Sequence, residues 1–129
     1  MPENFRQFSV TDPFGRDWSA EFRWQQNAIS IRHADAIDCK YYLSSGGEHR
    51  EIVIALPHAA LIAAAAEAGR EVTDAWCLKL AGLHLERMIR TWDDMDKTIV
   101  TVPAGDLSRH AGALARASQA EQERVLNAH

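Results

Sequence analysis

The feature that most constrains this chain is a change of residue character near position 56. Eight of the ten aromatic residues lie before it: Phe5, Phe8, Phe14, Trp18, Phe22, Trp24, Tyr41 and Tyr42. Sixteen of the 21 alanines lie after Pro57. Aromatic and β-branched residues suit a pleated, half-buried surface, whereas alanine is the best helix former. The first half is therefore expected to build a sheet and the second half to supply helices. This predicts an α+β fold: an antiparallel five-stranded meander, two helices, a short sixth strand and a C-terminal helix. The helices are expected to pack on one face of the sheet.

The local signals agree with that division. Asp12-Pro13-Phe14-Gly15 is a turn sequence, with Pro presetting φ and Gly and Asp at favoured places. It joins strand 6–11 to strand 16–25, which alternates Trp18, Ala20, Phe22 and Trp24 on one face with Ser19, Glu21, Arg23 and Gln25 on the other. Gln26-Asn27 reads as a two-residue hairpin loop to a third strand, 28–33. That hairpin sets Trp24 opposite Ile29, Phe22 opposite Ile31 and Ala20 opposite His33. A three-residue loop then sets strand 37–43 beside it, with Cys39 opposite Ile31. On the polar face the same register builds a Glu21–Arg32–Asp38 charge ladder. Ser44 to Gly47 is the next turn, followed by an apolar strand, 49–55. Pro57 opens a helix that Gly69 stops. Thr73 or Asp74 caps a second helix, 74–92, and strand 98–102 precedes a helix from about Leu107.

Size and composition bound the rest. The 129 residues suit one domain spanning residues 1–129, with 1–5 and 119–129 expected to be poorly ordered. Hydrophobic residues make up 47 % and charged residues 25 %, which excludes collagen-like, disulfide-framework and broadly disordered chains. No apolar run approaches the roughly 20 residues of a membrane span. Residues 1–16 lack the basic start and apolar middle of a signal peptide, so a cytoplasmic location is expected. Cys39 and Cys77 show no CxxC or zinc spacing and read as two buried reduced thiols.

No motif for a nucleophile, P-loop or dinucleotide site is present, and no cofactor is called for. His33 reads as a bonded residue on the sheet's apolar face. His84, beside Arg87 and Glu86, is a candidate pocket wall, while His110 and His129 read as solvent-exposed. No two histidines have i, i+4 spacing, so helix-borne metal binding has no support. Asp93, Asp94 and Asp96 follow the long helix, where carboxylates oppose its dipole. They read as a solvated acidic turn balanced by Arg87, Arg90 and Lys97, with cation binding left open.

Three functions follow from these residues. The first is a non-enzymatic interaction module, expected to form a homodimer. Helix 74–92 carries two apolar stripes, and Trp76, Leu80, Leu83 and Trp92 are its interface candidates. The second is a small-molecule binder or enzyme with a pocket between sheet and helices, using His33, Cys39, Tyr41, His84, Trp18 and Phe22. The third is single-stranded nucleic-acid binding by the polar sheet face through Arg23, Arg32, Lys40 and Tyr42. The net charge of −4 disfavours this last reading, because no segment offers a basic footprint. Self-association is the reading the sequence favours.

Overall fold

The computed structural model describes residues 4–28 and 35–127. Strands β1 (Gln7–Thr11), β2 (Asp17–Ala28), β3 (Ala36–Ser45) and β4 (Glu48–Pro57) form an antiparallel meander. Helices α1 (His58–Ala68) and α2 (Asp74–Thr91) follow, and β5 (Ile99–Thr101) returns to pair parallel with β4. Helix α3 (Ala104–Asn127) ends the described chain. The fold is α+β, with a five-stranded, mostly antiparallel sheet and the helices against it. No helix among the described residues is long and apolar enough to cross a membrane.

The turn at Asp12 forms as its residues require. The Asp12 carboxylate accepts from the Phe14 and Arg16 amides at 2.9 Å each, from Arg16 Nε at 2.8 Å and from Trp18 Nε1 at 3.0 Å. Burial alone would raise its pKa, but these donors outweigh it and hold the carboxyl at about 2. The Arg16 guanidinium lies over Trp92, Trp18 and Phe14, at 4.9, 5.4 and 5.7 Å from the ring centroids. Trp92 follows α2 in the left-handed region at φ 64°, which turns the chain and brings its ring to this cluster. The β3–β4 connection is the tight Gly46-Gly47 loop, with both glycines at positive φ.

The expected hairpin at Gln26-Asn27 does not form. Strand β2 runs through both residues and pairs directly with β3, with Gln26 opposite Asp38 and Asn27 opposite Ile37. Phe22 meets Tyr41 and Ala20 meets Leu43, rather than Ile31 and His33. Glu21 meets Tyr42, so the Glu21–Arg32–Asp38 ladder is replaced. The expected strand 28–33 lies outside the described residues from Ile29 onward. The physical reason is that alternation determines a residue's face and leaves its partner strand open. The β3 register matches apolar with apolar at Ala20–Leu43 and Phe22–Tyr41, and beyond Phe22 it sets Gln25 and Asn27 opposite Cys39 and Ile37.

A β-bulge between Phe22 and Trp24 adds a second correction. The extra residue reverses the alternation, so Trp24 leaves the core face. It pairs with Lys40 on the outer face, where it is 38 % exposed.

The core lies between the inner sheet face and the helices. Trp18, Cys39, Tyr41, Leu43, Ile54 and Leu56 meet Cys77, Leu80, Leu85 and Ile89 of α2, all fully buried. Each such leucine or isoleucine contributes about 2 kcal/mol by leaving water. Thr73 Oγ1 caps α2 by accepting from the Trp76 amide at 3.1 Å. Helix α1 ends as expected at Gly69, whose φ of 65° lets Gly69 N and Arg70 N reach the carbonyls of Ala66 and Ala65. Helix α3 starts three residues before the expected Leu107 and packs on α1, with Ala64, Ala68, Ala111 and Ala115 lining the seam.

Candidate functional site

Helix α2 presents His84, Arg87, Met88 and Thr91 at i, i+3, i+4 and i+7, which is one helical face. The same spacing places Asp106 and His110 together on α3. After α2 the chain reverses through Trp92 and Asp94, both at positive φ, and Lys97 N bonds the Asp94 carbonyl at 3.0 Å. Arg50 of β4 donates to the Met95 carbonyl and ties this loop to the sheet. Between the α2 face, the loop, β5 and the first turn of α3 lies a cleft of about 570 Å³. His84, Arg87, Thr91, Asp93, Asp94, Lys97, Thr101 and Asp106 line it, together with the apolar Met88, Ile99, Val100 and Pro103. Its size suits a small ligand.

A buried histidine pair forms one wall. His84 Nδ1 and His110 Nε2 are 3.1 Å apart, with the rings edge to face at 74°. The residues are only 4 % and 8 % exposed. Burial lowers the pKa of His84; Asp106 and Asp94 oppose this, and Arg87 and Arg109 add to it. Burial, then the neighbouring His84, push His110 down to about 4 against the pull of Asp106. Both rings are therefore neutral at pH 7, and one proton bridges them. His84 Nε2 makes no hydrogen bond within the described residues and reaches solvent, since the buried side-chain nitrogen left without a partner among them is His58 Nε2. When Nδ1 donates to His110, Nε2 is an acceptor; when Nδ1 accepts, Nε2 is a donor. The pair thus lets one ring nitrogen at the cleft take or give a proton.

Two ion pairs complete the lining. Lys97 Nζ lies 3.0 Å from Asp94 Oδ1, and Arg87 Nη1 lies 3.4 Å from Asp106 Oδ1. Arg109 also binds the Asp106 carboxylate, so two guanidinium groups share one acid.

The structure separates the residues that the sequence suggested for a pocket. His84 lines the cleft. Trp18, Cys39 and Tyr41 are fully buried core residues and do not line it. The Trp18 indole is bonded to Asp12, and the Tyr41 hydroxyl lies 3.3 Å from the Leu78 carbonyl. Burial raises the Tyr41 pKa and pushes the Cys39 and Cys77 thiols up to about 12 and about 11, so neither thiol ionises at neutral pH. Phe22 lines a separate groove beside Phe5, Arg6 and Asp74. His33 lies outside the described residues. Glu86 is turned from the cleft and pairs with Arg90.

The interface candidates are placed as follows. Trp76 and Leu80 are 2 % and 0 % exposed, so this chain itself covers them. Leu83 and Trp92 are half-buried against the core. On the outer sheet face, Lys40 pairs with Glu51 at 2.8 Å and Arg23 lies 3.7 Å from Glu21. Arg23 also covers Tyr42, which stacks on His49. The basic groups are thus offset by acids, and Arg32 lies outside the described residues. Among the described residues no group of three or more His, Cys, Asp or Glu is arranged to hold a metal ion.

Sequence reasoning missed His110, expected in solvent, and Asp106. The i, i+4 spacing of Asp106 and His110 was the available signal for a shared face. Nothing local placed that face against His84, 26 residues away. The chain matches no family model, and no curated protein and no solved structure is similar enough to count as a relative.

Proposed function

We propose that this protein binds a small charged molecule in the cleft between α2, β5 and α3, with the His84–His110 pair as its acid–base group. The observation that carries this reading is the 3.1 Å contact between two buried histidines, one of which lines the cleft. A polar pair removed from water normally has a function or a full set of partners. Here one nitrogen keeps a free valence toward the cleft. Whether the ligand is transformed or only held depends on the ligand's own chemistry. A reducing, cytoplasmic setting suits the two buried thiols.

The test is a histidine side-chain and backbone ¹H–¹⁵N titration with mixtures of small metabolites. The expected result is a saturable shift at His84 and at amides from Arg87 to Asp106. A full set of mixtures at millimolar concentration that leaves all of them unmoved refutes the reading.

A self-associating interaction module would need a surface other than the apolar stripes of α2, because Trp76 and Leu80 are already used inside the chain. Sedimentation equilibrium discriminates the two readings. A dimer mass across micromolar concentrations favours self-association, and a single-chain mass excludes it.

A further inference from the structure

The strand order β1-β2-β3-β4-β5 leaves two sheet edges, and they are not alike. Strand β5 has three residues, with Lys97 shortly before it and Pro103 shortly after it, and it lines the cleft. Short strands, lysine and proline are common means of keeping an edge from pairing. Strand β1 has none of them. Gln7-Phe8-Ser9-Val10-Thr11 carries no charge, proline or glycine, and its register with β2 is unbroken. Two bonds at its ends set the direction of its backbone groups. Phe22 N donates to the Arg6 carbonyl at 2.8 Å, and Asp12 N donates to the Arg16 carbonyl at 2.9 Å. Counting by twos from Arg6 and Asp12, Phe8 and Val10 are the strand residues that bond to β2, opposite Ala20 and Trp18. Gln7, Ser9 and Thr11 therefore turn their N–H and C=O groups away from β2. Among the described residues nothing pairs with those groups. The same three residues are exposed, while Phe8 and Val10 are buried.

This edge is complementary to itself. Polar and apolar residues alternate symmetrically about Ser9. An antiparallel copy with Ser9 opposite Ser9 sets Gln7 opposite Thr11 on the outer face and Phe8 opposite Val10 on the core face. Ser9 with Ser9, and Gln7 with Thr11 twice, then use every outward group of the strand in six hydrogen bonds. A slip of two residues loses two of these bonds, and a slip of one sets polar side chains against apolar ones. The neutral strand brings no like charges together. One residue further out, the register sets Arg6 opposite Asp12 at both ends. Arg16 already binds Asp12, so this contact aligns the copies more than it holds them. The two-fold axis stands perpendicular to the sheet, so the two sheets continue as one, with the helices of both copies on the same side.

We infer that the β1 edge is a docking surface for a second copy of this chain, which pairs its own β1 antiparallel about Ser9. Five residues at about 3.4 Å each make a contact about 17 Å long, and a strip one strand wide buries less than the ~800 Å² per partner of a stable complex. The pairing is therefore weak, and single chains prevail at low micromolar concentration. It is independent of the binding reading, because β5 and the cleft lie at the opposite side of the sheet and stay open in both copies. The test is sedimentation velocity of the full chain between about 10 µM and about 1 mM, with NMR amide exchange rates measured near the two ends of that range. The expected result is a single-chain mass at the low end and a growing dimer share at the high end. The Ser9 and Thr11 amides should exchange about twofold more slowly at the high end, while Phe8 and Val10, already bonded to β2, do not change. Ser9→Lys places two ammonium groups opposite each other across the axis on an exposed face and should weaken the dimer at least about fivefold. Ser118→Lys adds the same charge at an exposed position of α3 and should leave the dimer unchanged. A single-chain mass at about 1 mM overturns the inference. So does a dimer whose slowed amides lie on another element, or one that Ser9→Lys leaves intact. The wild-type mass and exchange rates decide the matter even where a variant folds poorly.

Discussion

Acid should weaken this protein in a particular pH window because His110 is buried neutral. Its pKa falls from 6.5 to about 4, and burial is the leading cause, followed by His84. Above pH 6.5 the ring is neutral in folded and unfolded chains alike, and folding is not opposed. As pH falls below 6.5 the unfolded chain takes up a proton that the folded chain still refuses. Stability is therefore lost progressively from pH 6.5 down to about 4. At about 1.4 kcal/mol per tenfold change in proton affinity, the loss is about 3 kcal/mol. His84 is shifted in the same direction and adds to it. Set against a total of about 5–15 kcal/mol for a domain, this is a large fraction.

The assay is urea unfolding at constant ionic strength, at half-unit intervals from pH 7.5 to 4.5, followed by tryptophan fluorescence. The slope should approach about 1.4 kcal/mol per pH unit for each histidine that charges on unfolding. Asp12 does not contribute, because its carboxyl titrates between 3.8 and about 2. His110→Gln keeps a neutral polar partner for His84 Nδ1 and should remove about one proton from the slope. Arg87, Arg109 and Asp106 face the pair, and Asp94 also faces His84. A wild-type stability that is equal at pH 6.5 and 4.5 would refute the reasoning. So would a His110→Gln variant with the wild-type slope.

Other substitutions test the scaffold. Leu80→Ala removes a fully buried α2 side chain and should cost about 3 kcal/mol, while Leu83→Ala, half-buried, should cost clearly less; urea midpoints compare them. Gly69→Ala places a Cβ at φ 65° and should cost about 1 kcal/mol in the same assay, although open space surrounds the site. The Asp12 carboxyl is held at about 2, so its stabilising contribution is complete above pH 3.8 and is lost as pH falls through 2. Asp12→Asn should therefore be less stable at neutral pH, and its acid unfolding should be less steep between those values; circular dichroism follows both.

What was legible in the sequence was local. The Asp12–Gly15 turn and the Gly69 stop each depend on a few neighbouring residues and form as expected, and of the two caps offered for α2, Thr73 and Asp74, Thr73 is the one that forms. Partner choice was not local. Strand 16–25 had two strand-like neighbours in sequence, and hydrophobic alternation alone does not choose between them. The bulge after Phe22 decided the face of Trp24, and no turn residue announces it. The same division holds at the site. His84 reads in the sequence as a candidate pocket wall beside Arg87 and Glu86, whereas His110 reads as an exposed helix position because its neighbour comes from another helix.

The alanines that define the second half help to explain why that neighbour is there. Ala64 and Ala68 of α1 and Ala111 and Ala115 of α3 line the seam between these helices, and small side chains allow two helices to approach closely. Helix α3 packs against α2 as well, and the contact between its first two turns and α2 brings Asp106 to Arg87 and His110 to His84. A residue at Ala111, one position after His110, that is too large for the groove of about 170 Å³ beside it would push α3 outward from α1. It would carry the His110 ring away from a partner held at 3.1 Å. The small residues are thus part of the site although none of them lines the cleft. The composition that looked like plain helix propensity is what lets two polar rings be buried against each other.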